Sequence, residues 1–139
     1  MQSLFLKGTE FTPEFNYEVE NFTIEISGES NIEKNNPFYI SITEFISTIE
    51  LAKPMRLNIE FKFSSICRSS KRGLLFFLLR LKELQVHCKT DIRINWHYPP
   101  KNSLVKIIGE DLEYMVMIPI NTIESVITEV QEEELVTAL

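Results

Sequence analysis

Between residues 57 and 118 the apolar pattern changes period repeatedly, and that change limits the folds open to the chain. Leu57, Ile59, Phe61 and Phe63 alternate with Asn58, Glu60 and Lys62, the period of a half-buried strand. From about Ser70 to Val86 the apolar residues run together at helical density, with no polar face for two turns, which predicts a centrally buried helix. Ile92, Ile94, Trp96 and Tyr98 return to period two, stopped by Pro99-Pro100. Leu104, Ile107, Ile108 and Leu112 follow at spacings of three and four, a third helix, and Met115–Ile118 reads as a short strand ended by Pro119.

The N-terminal part extends the pattern. Leu4-Phe5-Leu6 reads as a first strand and Gly8–Pro13 as a turn. Phe15, Tyr17 and Val19, then Phe22, Ile24 and Ile26, alternate on either side of Glu20-Asn21 as a hairpin. Asn36-Pro37 opens a helix carrying Phe38, Ile42, Phe45, Ile46 and Ile49 on one face to about Leu51. Residues 121–139 place Ile123, Val126, Ile127 and Val130 on a stripe, an amphipathic helix. The order βββ-α-β-α-β-α-β-α predicts an α/β fold: a mixed β-sheet with helices packed mainly on one face.

A length of 139 residues suits one domain, expected over 1–120, with 121–139 as an acidic extension. The formal charge of −6 argues against a general nucleic-acid binder. It is unevenly spread: residues 1–50 carry −7, residues 51–93 carry +7, and residues 121–139 hold five Glu and no base. No signal-peptide pattern is present, and the longest apolar run, Leu74–Leu79, is far short of the roughly 20 residues that span a bilayer. Two cysteines are too few for a disulfide scaffold. The expectation is a soluble, reduced, cytoplasmic protein with no membrane insertion.

Catalytic and metal motifs are lacking. There is no GxGxxG, Walker loop or HExxH. His87 and His97 fall in different elements, and Cys67 and Cys88 lack the paired spacing of a zinc site. Glu10 with Glu14, and Glu110 with Asp111, read as surface acids. No enzyme, cofactor or metal is expected. What stands out is Ser64-Ser65-Ile66-Cys67-Arg68-Ser69-Ser70-Lys71-Arg72, a strand-to-helix loop with four hydroxyls and three cations. A helix N-terminus stabilises an anion, a phosphate on serine included, and Arg68, Lys71 and Arg72 could add charge-assisted hydrogen bonds. The plain alternative is that Ser69 or Ser70 is only the N-cap.

Several segments in order resemble the SiaC family, small bacterial regulatory phosphoproteins with a STAS-like fold. They are Leu6-Lys7-Gly8-Thr9 with Thr12-Pro13, Ile26-Ser27-Gly28-Glu29-Ser30, Pro37-Phe38-Tyr39, Trp96-His97-Tyr98, Gly109-Glu110-Asp111-Leu112 and Ile118-Pro119, across about residues 4–120. The resemblance implies a non-enzymatic partner switch. In the family a hydroxyl in an Asn-Thr-Ser-Ser motif, at the start of the central helix, is phosphorylated by a dedicated kinase and dephosphorylated by a PPM-type phosphatase. The unphosphorylated form binds and activates a diguanylate cyclase, so the switch governs cyclic-di-GMP output and biofilm regulation.

This chain lacks the Asn-Thr-Ser-Ser segment itself. Alignment on the helix phase and Trp96 places Arg68-Ser69-Ser70-Lys71 there and makes Ser69 the phosphoacceptor. Alignment on the preceding strand places Phe63-Ser64-Ser65 there and makes Ser65 the acceptor. The acidic-Asn pair of the family is altered to Asn31-Ile32-Glu33-Lys34-Asn35. A constitutive interaction module without a phosphoswitch, and an anion- or nucleotide-binding domain using the basic loop, are the competing readings.

Overall fold

The computed structural model describes residues 3–33 and 36–125. Six strands, β1 (Leu4–Leu6), β2 (Glu14–Glu18), β3 (Thr23–Ser30), β4 (Arg56–Ile66), β5 (Asp91–Tyr98) and β6 (Ile120–Glu124), lie side by side in chain order. β1, β2 and β3 pair antiparallel, and β3 through β6 pair parallel. Each parallel step is bridged by a helix: α1 (Phe38–Ala52), α2 (Ser70–Cys88) and α3 (Ser103–Val116). Right-handed crossovers that advance in one direction stack all three helices on one face, as the alternation predicts.

That face holds the core. Ile24, Ile26, Ile59, Phe61, Phe63, Ile94 and Trp96 are buried beneath Ile42, Ile46, Leu74, Phe77, Leu78, Leu81 and Ile108. The other face is polar and internally bonded: Lys62 pairs with Glu25, and Glu60 accepts from Asn95 and meets His97 Nε2 at 3.1 Å. His97 is thus hydrogen-bonded on the sheet's open face, as its strand phase suggests.

Local chemistry fixes the helix ends. Asn36 accepts the Phe38 N–H at 2.9 Å and starts α1, and the Asn102 side chain accepts from Val105 N to start α3. The αL residues Lys53, Lys89 and Met117 terminate the three helices.

The structure corrects four expectations. Met115–Ile118 is not a strand: Val116 extends the buried Leu112 stripe by one helical turn, and the strand begins at Ile120, paired with Ile94. Residues 121–124 are therefore the end of β6 and not a helix, and the expected boundary at 120/121 falls inside the sheet. The rest of the expected C-terminal helix, 126–139, lies outside the described residues. α2 is not buried all round: Phe76 and Leu79 face outward, because a helix on one face of a sheet needs only one apolar stripe. Ser64 and Ser65 are in β4 and not in a loop, because the parallel ladder with β3 runs through Ser65↔Glu29 and Ile66↔Ser30.

Candidate functional site

Parallel strands joined by helices bring their C-terminal ends to one edge of the sheet. Ser30, Ile66, Tyr98 and Glu124 end β3, β4, β5 and β6 there, and α1, α2 and α3 all start there. Four of the resembling segments, Leu6–Pro13, Ile26–Ser30, Pro37–Tyr39 and Trp96–Tyr98, meet at this edge, while Gly109–Leu112 lies along α3 and Ile118-Pro119 at the opposite edge.

Gly8–Pro13 forms the turn between β1 and β2. Thr9 Oγ1 accepts from Phe11 N and Thr12 N and lies 2.8 Å from Thr12 Oγ1. A Cβ on Gly8 would approach Glu14 N to 3.0 Å, and Pro13 is buried. Phe11 O then accepts from Asn31 N, tying this turn to the end of β3. Gly28 has φ +102°, beside the register shift between Gly28 and Glu29, so an L-residue would be strained there. Ser30 keeps the inward phase of Ile24 and Ile26 and is fully buried, while the extra residue at the shift, Ser64, falls on β4 and brings Ile66 inward.

Ser30 is the hub of a buried hydroxyl chain. Its Oγ lies 2.7 Å from Tyr39 Oη and donates to Ser70 Oγ at 2.8 Å, and Ser70 Oγ returns a bond to Ser30 O at 2.9 Å. Burial pushes the Tyr39 phenol far above its ordinary value, so it stays a neutral donor. Gly73 lets α1 and α2 close over this chain, since a Cβ there would lie 2.7 Å from Tyr39.

The five residues Arg68 to Arg72 come together, while Ser64 and Ser65 stand apart in β4. Ser70 is buried and Ser69 is exposed. Ser69 occupies the N-cap position of α2 but makes no capping bond, so the N-cap alternative fails for its side chain. Its hydroxyl instead donates to Ile32 O at 2.6 Å and lies 2.9 Å from Cys67 Sγ. Burial pushes the Cys67 thiol up, but bonds with Ser69, Ser70 and the backbone outweigh this and hold it below the usual thiol range. Ser65 Oγ accepts from Asn31, and Ser64 O from Asn102.

The cations divide in role. Lys71 Nζ is 3.0 Å from Asp111 on α3, Arg72 lies 5.7 Å from the centroid of the exposed Phe76 ring, and Arg68 is exposed. The +7 stretch as a whole is not one face. Lys62 sits on the polar face, and Arg56, Lys89 and Arg93 lie at the opposite edge of the sheet.

Trp96 and Gly109 are structural. The indole N–H donates to Val105 O at 2.9 Å, under α3. Tyr98, half-buried at the end of β5, lies under Lys106 and accepts Ser125 N at its carbonyl, and Glu110 is exposed on α3. Three partners of the site escape sequence reading. Ile32 acts through its backbone carbonyl, which leaves no side-chain signal. Cys67 gains its role only from the bend that brings it onto Ser69. Gly73 shows no sign until α1 lies across it. Tyr39 was within reach, since with Ile42, Ile46 and Ile49 it completes the buried stripe of α1.

Fold and site together define a class. This is a small α/β domain that presents an accessible hydroxyl where a central strand enters a central helix, with no cluster of metal-binding side chains among the described residues. The chain belongs to the SiaC family of regulatory phosphoproteins, whose sequence profile it matches over residues 6–125. A sequence search of curated proteins gives no match. Among solved structures the chain resembles SiaC of Pseudomonas aeruginosa, with a TM-score of 0.75 at 17% identity, covering 87% of this chain and 97% of that one. Apo-SiaC from the same organism is similar, with a TM-score of 0.73 at 15% identity over 88% and 99%. So is a chain in the structure of the diguanylate cyclase SiaD in complex with its activator SiaC, with a TM-score of 0.76 at 17% identity over 88% and 99%.

Proposed function

We propose that this chain is a non-enzymatic, cytoplasmic partner switch that binds and activates a diguanylate cyclase, and that Ser69 carries the phosphate that controls it. A dedicated kinase adds the phosphate and a PPM-type phosphatase removes it. The observation that carries the choice of residue is accessibility. Ser69 is the exposed hydroxyl at the start of α2, whereas Ser70 is buried in the chain with Ser30 and Tyr39, and Ser64 and Ser65 are bound into β4.

The geometry supplies a mechanism. The Ser69 proton holds Ile32 O, and so the segment leading to α1. Esterification removes that proton and sets a charge of about −2 against the carbonyl it held. The 31–33 segment must then shift, and the phosphate draws on Arg68 and Arg72, which flank Ser69 and which no carboxylate among the described residues engages. A partner that reads α1, α2 and the intervening edge meets a changed surface and a reversed charge. SiaC, a structural relative, is described as the activator of SiaD, which supports a cyclase as partner.

The test is mass spectrometry after incubation with the cognate kinase and ATP. A single phosphate on Ser69, absent in Ser69→Ala, is expected. Phosphate on Ser64, Ser65 or Ser70 instead would reassign the acceptor, and none on any of the four would refute the switch.

A further inference from the structure

The edge opposite the switch has a composition of its own. The parallel topology collects the C-termini of α1, α2 and α3 there, with the connections 53–55, 89–90 and 117–119 leading into β4, β5 and β6. Bonds from Asp91 N to Met55 O, Thr90 Oγ1 to Pro54 O and Lys82 Nζ to Val116 O hold the three ends together. The four most exposed large apolar side chains among the described residues all project from this edge: Met55 (89%), Tyr114 (86%), Leu51 (83%) and Met117 (79%). Val86 joins them at the end of α2.

Cations are interleaved with these tips. Lys53, Arg56 and Lys89 are exposed and have no ion-pair partner among the described residues, and Lys82 lies between α2 and α3. The nearby acids are engaged: Asp91 with Arg93, Glu50 and Glu83 with Arg80, and Glu113 with the amide of Ile120. Glu18 and Glu20 lie at the β2–β3 turn, at the same end of the sheet but on its β3 side, where Phe22 O accepts Asn58 N.

The backbone adds an independent sign. Lys53, Lys89 and Met117 each end a helix at positive φ, of 46°, 55° and 57°. Glycine is the favoured residue at that position, and a side chain there costs stability. All three helices forgo glycine at this one edge, and the side chains retained are two ammonium groups and a thioether.

We propose that this edge is a docking surface for an anionic lipid bilayer, on which the domain lies without crossing it. Projecting apolar side chains enter the interface and flanking lysine and arginine meet the anionic headgroups. A peptide partner would need a continuous groove. The apolar depression at this edge, about 820 Å³, is lined by the 113–119 segment alone and does not reach Leu51, Met55 or Val86. Three separate tips suit a planar surface. Docked this way, the Ser69 edge faces away from the membrane, open to kinase and partner.

The experiment is co-sedimentation of the full chain with vesicles of equimolar phosphatidylglycerol and phosphatidylcholine, against phosphatidylcholine alone. Binding is expected to the anionic vesicles and to fall with salt. The decisive variant combines Lys53→Gly, Lys89→Gly and Met117→Gly. It is expected to melt above the wild type, because glycine relieves the positive φ, and yet to bind at least roughly 25-fold more weakly, at about fivefold per cation removed. Higher stability with lost binding cannot be ascribed to misfolding. Absence of sedimentation, or unchanged sedimentation of the triple variant, overturns the proposal. So does loss of binding in Arg68→Gln/Arg72→Gln instead, which would place the lipid contact at the other edge. Dimers that the triple variant abolishes, without vesicle binding, would assign the surface to a second copy of the chain.

Discussion

Gly109 lies so close against Trp96 that a Cβ on Gly109 would fall 2.5 Å from the indole Nε1. The contact seats α3 on β5, where Trp96 also packs on Phe61 at a centroid distance of 4.9 Å and donates to Val105 O. It gives the Gly109 of the resembling segment a packing reason, since no larger residue leaves the ring its place.

Gly109→Ala is therefore expected to destabilise the fold by about 1–3 kcal/mol through overpacking. Helix propensity alone favours alanine by up to about 1 kcal/mol, so the sign of the change separates the two effects. Thermal unfolding decides: a variant as stable as the wild type would mean that the ring yields.

Ser30→Ala is expected to lower stability by about 1–3 kcal/mol, because it leaves the buried Tyr39 hydroxyl without its partner and takes one bond from Ser70, which keeps its bond to Ser30 O. Denaturant unfolding measures it. A loss below a few tenths of a kcal/mol would show that the two hydroxyls find each other without Ser30.

Ser69→Ala removes a bond that helps hold the Cys67 thiol below its ordinary range. Its alkylation profile should then move to higher pH. The sign for stability follows. With the folded thiol pKa below the unfolded one, the thiolate's contribution is complete above the unfolded pKa and is lost as pH falls through the folded one. Iodoacetamide kinetics against pH, followed by peptide mass spectrometry, check the shift; identical profiles with and without Ser69 contradict it.

Tyr17 is fully buried on β2 with no partner for its hydroxyl among the described residues, and burial raises its phenol above the usual value. Tyr17→Phe removes only that oxygen and keeps the ring against Phe45. It should be neutral or stabilise by up to about 1 kcal/mol. A clear loss of stability in calorimetry would reveal a bond to the hydroxyl that the described residues do not show.

Much of the architecture was legible because it rests on period. The alternation at Leu57–Phe63 and Ile92–Tyr98, and the helical stripe of α1, each mark one face of a local element. The errors fall where period is too short to read. At Met115–Ile118 one more helical turn and a short strand look alike, and only the pairing of Ile120 with Ile94 separates them. Ser64 and Ser65 read as loop because serine is common in turns, yet β4 runs on through both, with Ser65 paired to Glu29 and Ser64 the extra residue at the register shift.

By itself the sequence determined the succession of strands and helices, the mixed sheet, the family resemblance and the short stretch that holds the candidate serines. These follow from local spacing, which each segment carries without knowing its neighbours. Tertiary structure alone decided which serine is accessible. Ser69 and Ser70 are adjacent and chemically identical, but the start of α2 and the closure of α1 on Gly73 bury one against Ser30 and Tyr39 and leave the other on Ile32 O. It also decided that the cations of one basic stretch go to opposite edges, because strand and helix direction, and not sequence position, sets where each side chain emerges.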